Sequence, residues 1–314
     1  MNPPSYGQSS AGASNGDHPV CPRHPDRVSY MTCKRCHQPM CHGCQVATEV
    51  GSLCVDCMQE INRAQRGTMA RTAVGGRGHD TPMVTYVIMG ICIVLFALQT
   101  MGPFITPVHQ WLMFAPFRAL QMPWTFITSG FLHGGVLHLA LNMYALWVIG
   151  QYLERALGRW RFTALFLLSV IGGHVAVLLL SSPLSDSWVT GTVGASGGIF
   201  GLFGALFVVQ RKLGGQATQV LVLIGANLVI TFLYPNISWQ GHLGGLVTGT
   251  ALAAAFFATR PTATPGADRE ALGRKSAMIH AGVCAAMAAV LVVLVIVKAL
   301  MALSSGVVLI PGLL

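Results

Sequence analysis

Two sets of residues have types and spacings suited to chemistry. The first lies between residues 21 and 57: Cys21-x2-His24, Cys33-x2-Cys36, Cys41-x2-Cys44 and Cys54-x2-Cys57. Four such pairs offer eight soft ligands, and a tetrahedral Zn2+ takes four. Two structural zinc ions are therefore expected, ligated by Cys21, His24, Cys33, Cys36, Cys41, Cys44, Cys54 and Cys57. The second set is dispersed. His138 and Asn142 are four residues apart and share a helix face. Ser196 stands among glycines in GASGG, and His242 stands in WQGHLGG. A serine hydroxyl beside an imidazole is a nucleophile–base pair, the ring taking the hydroxyl proton as oxygen attacks a carbonyl. The tetrahedral intermediate needs hydrogen-bond donors, which Asn142, His138 and the Ser196 backbone N–H can supply. Glycines beside the nucleophile allow close approach of backbone and substrate.

The elements that must carry these residues follow from composition. The chain has 314 residues, 53% of them hydrophobic and only 9% charged. Soluble domains carry about 25% charged residues, so a soluble globular enzyme and a disordered chain are both excluded. Apolar stretches fall near 84–103, 135–153, 162–181, 194–210, 217–234, 239–258 and 279–300. Segments of this length in lipid must satisfy their own backbone hydrogen bonds, which makes them helices. The expected fold is an all-α polytopic membrane protein with a small zinc-stabilised domain in front. Cys92 and Cys284 lie inside spans and read as small buried apolar residues. His174 reads as a satisfied core histidine and His109 as a surface-loop residue. The 104–134 stretch holds Trp111, Phe114, Phe117, Trp124 and Phe126, and is expected to lie in the interface as short amphipathic pieces.

Charge sets the orientation. Of 19 Lys and Arg, 17 fall in the N-terminal region or in the loops at 154–161, 211–216 and 259–278. Only Arg118 and Lys298 fall on the other side. This split puts the N-terminus in the cytoplasm and the C-terminus outside. The net charge of +9 is thus a topology signal, and nucleic acid is not an expected partner. The second, fourth and sixth spans then run from outside to inside. His138, Asn142, Ser196 and His242 share one depth near the outer ends of their helices. Polar side chains in a bilayer are costly and mark functional sites.

The remaining segments read as follows. Residues 1–20 are a Gly/Ser/Pro/Asn-rich disordered tail, with no apolar h-region after Met1 and so no cleavable signal peptide. Residues 21–60 are the cytoplasmic zinc-binding domain, where a reducing compartment disfavours disulfides. Residues 61–83 are a basic linker, 84–258 the six-helix core, 259–278 a cytoplasmic loop, and 279–314 a seventh helix with a short tail. Small residues such as GASGG also serve helix packing in membranes. Gly241, Gly245 and Gly249, spaced by four, are expected to let the sixth span press on the fourth and carry His242 towards Ser196.

HxxxN at 138–142, GASGG at 194–198 and HLGG at 242–245, in this order and on these helices, resemble the rhomboid family of intramembrane serine proteases. The resemblance covers roughly residues 84–258. Glu154-Arg155 after the second span and Trp124 in the long first loop resemble further family features. The resemblance implies Ser196 as nucleophile, His242 as general base, and His138 and Asn142 as oxyanion support. His133 maps to a family-variable position. Two departures stand out. Phe200 occupies a position where many relatives have a Tyr stacking on the catalytic His, and Thr125 follows Trp124 where Trp-Arg is common. A rhomboid-like six-helix core plus one C-terminal helix is implied. So is cleavage of transmembrane helices of other membrane proteins near the extracytoplasmic face of the plasma membrane, with no catalytic cofactor. A catalytically silent relative that binds membrane clients is the alternative, disfavoured because Ser196 and His242 are both present. A transporter would place charges mid-membrane, whereas Glu154 sits at an inner edge. The front domain resembles B-box-type and RING-like cross-braced modules. That implies one zinc shared by the first and third pairs and another by the second and fourth, with His37 and His42 as substitute ligands. A structural role or a cytoplasmic protein partner is expected for it.

Overall fold

The computed structural model describes residues 18–48, 51–69, 72–75, 78, 80–102, 105–234, 237–262 and 268–304. The chain divides near residue 70 into two compact units.

In the first unit, β1 (Val20–Cys21) pairs antiparallel with β2 (His24–Val28), and β3 (Gln45–Thr48) with β4 (Gly51–Cys54). Helix α1 (Val55–Met69) follows. The buried residues are Cys21, Cys33, Met40, Cys41, Cys44 and Cys57, with Leu53, Cys54 and Val55 packed against them. Cysteine thus supplies most of this core. Two readings change here. Residues 1–17 of the expected tail lie outside the described residues, but its last three residues are described and belong to the first unit. Val20 already belongs to β1, and Ser29 N–H donates to the Pro19 carbonyl. The expected linker from residue 61 is helical through Met69, because no proline interrupts a run from Gln59 to Arg66 in which Gln, Glu, Arg and Ala predominate.

The second unit is helical. Helix α2 (Met83–Thr100) is followed by the short α3 (Ile105–Leu112) and α4 (Thr125–Thr128). Then come α5 (Val136–Ala145), continued through a five-residue π turn into α6 (Gln151–Leu157), and α7 (Arg159–Leu180). The last four are α8 (Ser196–Leu213), α9 (Ala217–Leu233), α10 (Trp239–Ala258) and α11 (Arg269–Ser304). Among the described residues, five helical segments, α5–α6 counted as one, are long and apolar enough to cross a membrane, α9 is a shorter apolar helix, and α8, read from the sequence as a span, is not among them. The protein is a multi-pass membrane protein. Trp111 and Trp124 are exposed and stacked at 6.5 Å, as interfacial aromatics are.

The centre is α7, α8 and α10. The share of each span buried within the protein falls from 61% in α7 to 6% in α11. Small residues let the central helices touch backbone to backbone. A Cβ on Gly245 would overlap the Gly197 carbonyl oxygen, and one on Gly249 would overlap that of Gly201. Gly241 differs from the expectation. Its missing Cβ faces Val177 and Ser238, and it is the Gly241 carbonyl that lies against Gly173 and Gly197.

Polar contacts fasten the periphery. The buried Glu154 carboxylate accepts from the N–H groups of Val84 (3.0 Å) and Thr85 (2.8 Å) and from the Thr85 hydroxyl (2.8 Å). It caps α2, where a negative charge meets the positive end of a helix. Lys298 donates to the carbonyls of Leu179 and Ser181, closing the C-terminus of α7. The expected 259–278 loop is shorter than read, since α11 begins at Arg269. Asp268 Oδ1 accepts from Glu270 N (2.8 Å) and Ala271 N (3.3 Å), and this cap starts the helix before the apolar run.

Gly245→Ala is expected to destabilise the protein by about 1–3 kcal/mol, the usual cost of overpacking a close contact. Gly282→Ala on α11, with nothing within 4 Å, is expected to be neutral or mildly stabilising. Unfolding in detergent measures both, and equal effects would contradict the backbone contact.

Candidate active site and candidate metal centres

Three loops lead into the helix ends that carry the polar residues. Gly194 has φ +135°, a conformation that disfavours any side chain. Its N–H donates to the Ser129 carbonyl (3.0 Å), pinning the turn before α8. Ser196 is the first residue of α8. The first N–H groups of a helix have no intrahelical partner, so the Ser196 end presents donors and a positive dipole.

His138 faces this turn. A Cβ on Gly194 would stand 2.9 Å from His138 Nε2 and 3.4 Å from Ser196 Oγ, so both side chains border the same glycine. The Gly134 N–H donates to His138 Nδ1 (3.3 Å). That bond leaves the ring proton on Nε2, where it can be donated towards the Ser196 turn. Asn142 is buried and gives one amide hydrogen to the His138 carbonyl (2.8 Å), keeping the second. His133 is buried with neither ring nitrogen hydrogen-bonded among the described residues, and its ring lies 5.2 Å from that of His138.

His242 lies in the first turn of α10 and is buried. The α8–α10 contact aligns the two helix starts, with the Gly241 carbonyl 3.4 Å from a Cβ placed on Gly197. Phe200, one turn after Ser196, stacks on the His242 ring at 4.1 Å and 16°. The phenyl ring therefore provides the stacking face without a hydroxyl. His242 Nδ1 lies 2.7 Å from Thr231 Oγ1 on α9. Ser196 is half-buried, and its Oγ has no hydrogen bond among the described residues, His242 included. The arrangement offers a hydroxyl at the start of α8, an imidazole stacked on Phe200 one turn further along that helix, and N–H groups at the helix start.

Thr231 carried no sequence signal, being one of two threonines in an apolar helix and eleven residues before His242. His174, by contrast, is satisfied within the core. Its Nδ1 is 2.9 Å from the Phe126 carbonyl and its ring packs on Phe114.

In the first unit, Cys21, His24, Cys41 and Cys44 form one group, and Cys33, Cys36, Cys54 and Cys57 form the other. Within each group the ligand atoms all lie within 4.8 Å of one another. The first pair is thus combined with the third, and the second with the fourth. His37 and His42 belong to neither group. His24 Nδ1 stands 3.3 Å from Cys44 Sγ and 3.4 Å from Cys41 Sγ, and Cys36 Sγ is 3.8 Å from Cys54 Sγ. Ligands at about 2.3 Å around a tetrahedral centre must be about 3.8 Å apart, so the donor sets fit a zinc ion. Charge argues the same way. Burial pushes the Cys21 thiol up, but the N–H groups of Cys41, Arg23 and His24 and the His24 ring outweigh it, and its pKa falls to about 6. Cys44, raised by burial and then by Cys41 and Cys21 beside it, is driven up to about 11. A full set of thiolates here requires a cation.

Comparison with known proteins places residues 120–259 in the Rhomboid domain model. The chain is 34% identical over 200 residues to "Rhomboid protease GluP" of Bacillus subtilis, covering 61% of this chain and 37% of that protein. It is 36% identical over 131 residues to "Putative rhomboid protease YdcA" of the same organism, covering 40% of this chain and 63% of that one. It is 37% identical over 134 residues to "RHOMBOID-like protein 5" of Arabidopsis thaliana, covering 40% and 41%. The chain therefore spans less than two thirds of the length of each of these relatives. The matched domain contains His138, Asn142, Ser196 and His242, and excludes the Cys/His unit and α11.

Proposed function

From the premise that residues 120–259 are a rhomboid domain, we propose that the protein is an intramembrane serine endopeptidase acting through Ser196 and His242. The observation that carries this reading is the Phe200 ring, one turn after Ser196, stacked on His242 across the glycine contact of α8 and α10. Relatives named as rhomboid proteases support it.

Ser196 Oγ attacks the carbonyl carbon of a substrate peptide bond and passes its proton to His242. The carbonyl electron pair moves to oxygen. The Ser196 backbone N–H, His138 Nε2–H and the free amide hydrogen of Asn142 stabilise that oxyanion. Collapse expels the amine, which takes the proton from His242. A water deprotonated by His242 then hydrolyses the acyl-enzyme ester. The substrate is a transmembrane helix of another protein, unwound locally so that its carbonyl reaches Ser196. The 17-to-2 distribution of basic residues supports a cytoplasmic N-terminus, an extracytoplasmic C-terminus and cleavage near the outer face of the plasma membrane.

For the first unit, the reading is two structural zinc ions, one per tetrad. Both sets of four ligands are complete, which leaves no open coordination position for catalysis. With a core made mainly of cysteines, metal binding supplies the folding free energy that apolar burial does not.

Ser196→Ala is expected to lower cleavage of a transmembrane substrate by more than about a thousandfold while the protein still folds and inserts. Undiminished cleavage by that variant would reject the assignment. Elemental analysis of the purified chain should find two zinc ions, with at least one lost in Cys33→Ser and both lost progressively as acid protonates the thiolates. A metal-free first unit that resists proteolysis as well as the loaded one would refute the zinc reading.

A further inference from the structure

Helix α9 is lightly packed. Its buried residues are Val220, Ile224 and Thr231, spaced by four and seven, so it turns one narrow stripe to its neighbours. The stripe ends on Thr231, whose hydroxyl oxygen lies 2.8 Å from the Asn227 carbonyl oxygen and 2.7 Å from His242 Nδ1. A threonine hydroxyl has one proton and two lone pairs. In a helix that proton goes to the carbonyl four residues back. The oxygen is then left to accept from the ring, which requires the proton of neutral His242 to be on Nδ1.

We propose that Thr231 is a positioning residue that holds His242 in the Nδ1–H tautomer, leaving the Nε2 lone pair for the Ser196 proton. The proposal rests on the reading of His242 as general base. Two contacts then define the ring. Phe200 stacks on its face at 4.1 Å and fixes its plane. Thr231 holds its edge and fixes rotation within that plane. No carboxylate accepts from His242 among the described residues, so a neutral hydroxyl stands where other hydrolases place an acid. As the Oγ–carbon bond forms, the Ser196 proton moves to Nε2 and the ring becomes cationic. The Nδ1–H bond to Thr231 becomes charge-assisted and strengthens at that moment. When the amine leaves, it takes the Nε2 proton and the ring returns to its starting form. Thr231 keeps its own proton on the Asn227 carbonyl throughout.

Two variants and a spectrum test this. Thr231→Val keeps the shape and removes the hydroxyl, while Thr231→Ser keeps the hydroxyl. With a transmembrane peptide substrate, Thr231→Val is expected to lower kcat by about 10- to 100-fold with KM nearly unchanged, part of what general-base catalysis contributes. Thr231→Ser is expected to restore most of that loss. Nitrogen-15 NMR of the His242 ring in the full-length Ser196→Ala chain should show Nδ1 protonated and Nε2 bare at neutral pH. Adding Thr231→Val should mix the tautomers. Unchanged kcat in Thr231→Val, equal impairment in both variants, or a ring protonated on Nε2 in the Ser196→Ala chain would each overturn the proposal. If the wild-type chain cleaves nothing, the protease reading fails, and the ring spectrum still decides whether Thr231 holds Nδ1. Should Thr231→Val fail to fold, the Thr231→Ser kinetics and the spectrum of the Ser196→Ala chain remain decisive.

Discussion

Where Gly245 meets the Gly197 carbonyl, and Gly249 the Gly201 carbonyl, α10 and α8 pack too closely to admit a Cβ. The arrangement of the second unit depends on this contact. In lipid there is no apolar driving force between helices, so close packing of small residues has to hold them. The contact also fixes relative height. Ser196 opens α8 and His242 sits one turn into α10, and the glycine register brings these two ends level. A larger residue at Gly245 would separate the helices, and the hydroxyl and the imidazole would part with them.

The polar residues around this contact are secured by different means. His138 takes its tautomer from a backbone N–H, that of Gly134. The His242 ring is held by the Phe200 face and a hydroxyl on a third helix. Buried imidazoles are costly unless hydrogen-bonded, and these bonds meet that need as they orient the rings. His133 is the exception, buried with neither ring nitrogen bonded among the described residues. The first unit solves a different problem. Its interior is largely sulfur, and the thiolates of each tetrad, whose ligand atoms lie within 4.8 Å of one another, repel one another unless a cation lies between them.

Much of this was legible in the sequence because membranes simplify inference. Long apolar runs must be helices, and alternating basic loops give their direction. The expectation that His138, Asn142, Ser196 and His242 share one depth was drawn from those two rules alone. The Cys-x2-Cys and Cys-x2-His spacings announced the tetrads. What escaped were contacts without a pattern. Asp268 starts α11 ten residues before its apolar run, and no hydropathy reading registers a single cap. The role of Gly241 was misjudged because spacing by four shows a shared face but not which neighbour that face meets. Thr231 was invisible for a similar reason. Its partner is eleven residues away on another helix, and threonines are common in apolar spans.

The central claim is that His242 activates Ser196. A fluorophosphonate probe followed by mass spectrometry of the modified peptide measures this most directly, in the full chain with either His242 or alanine at that position. The account predicts a single adduct on Ser196 in the parent chain and almost none in His242→Ala, with both proteins folded. An adduct on Ser196 that forms equally fast without the imidazole, or none in either protein, would contradict it.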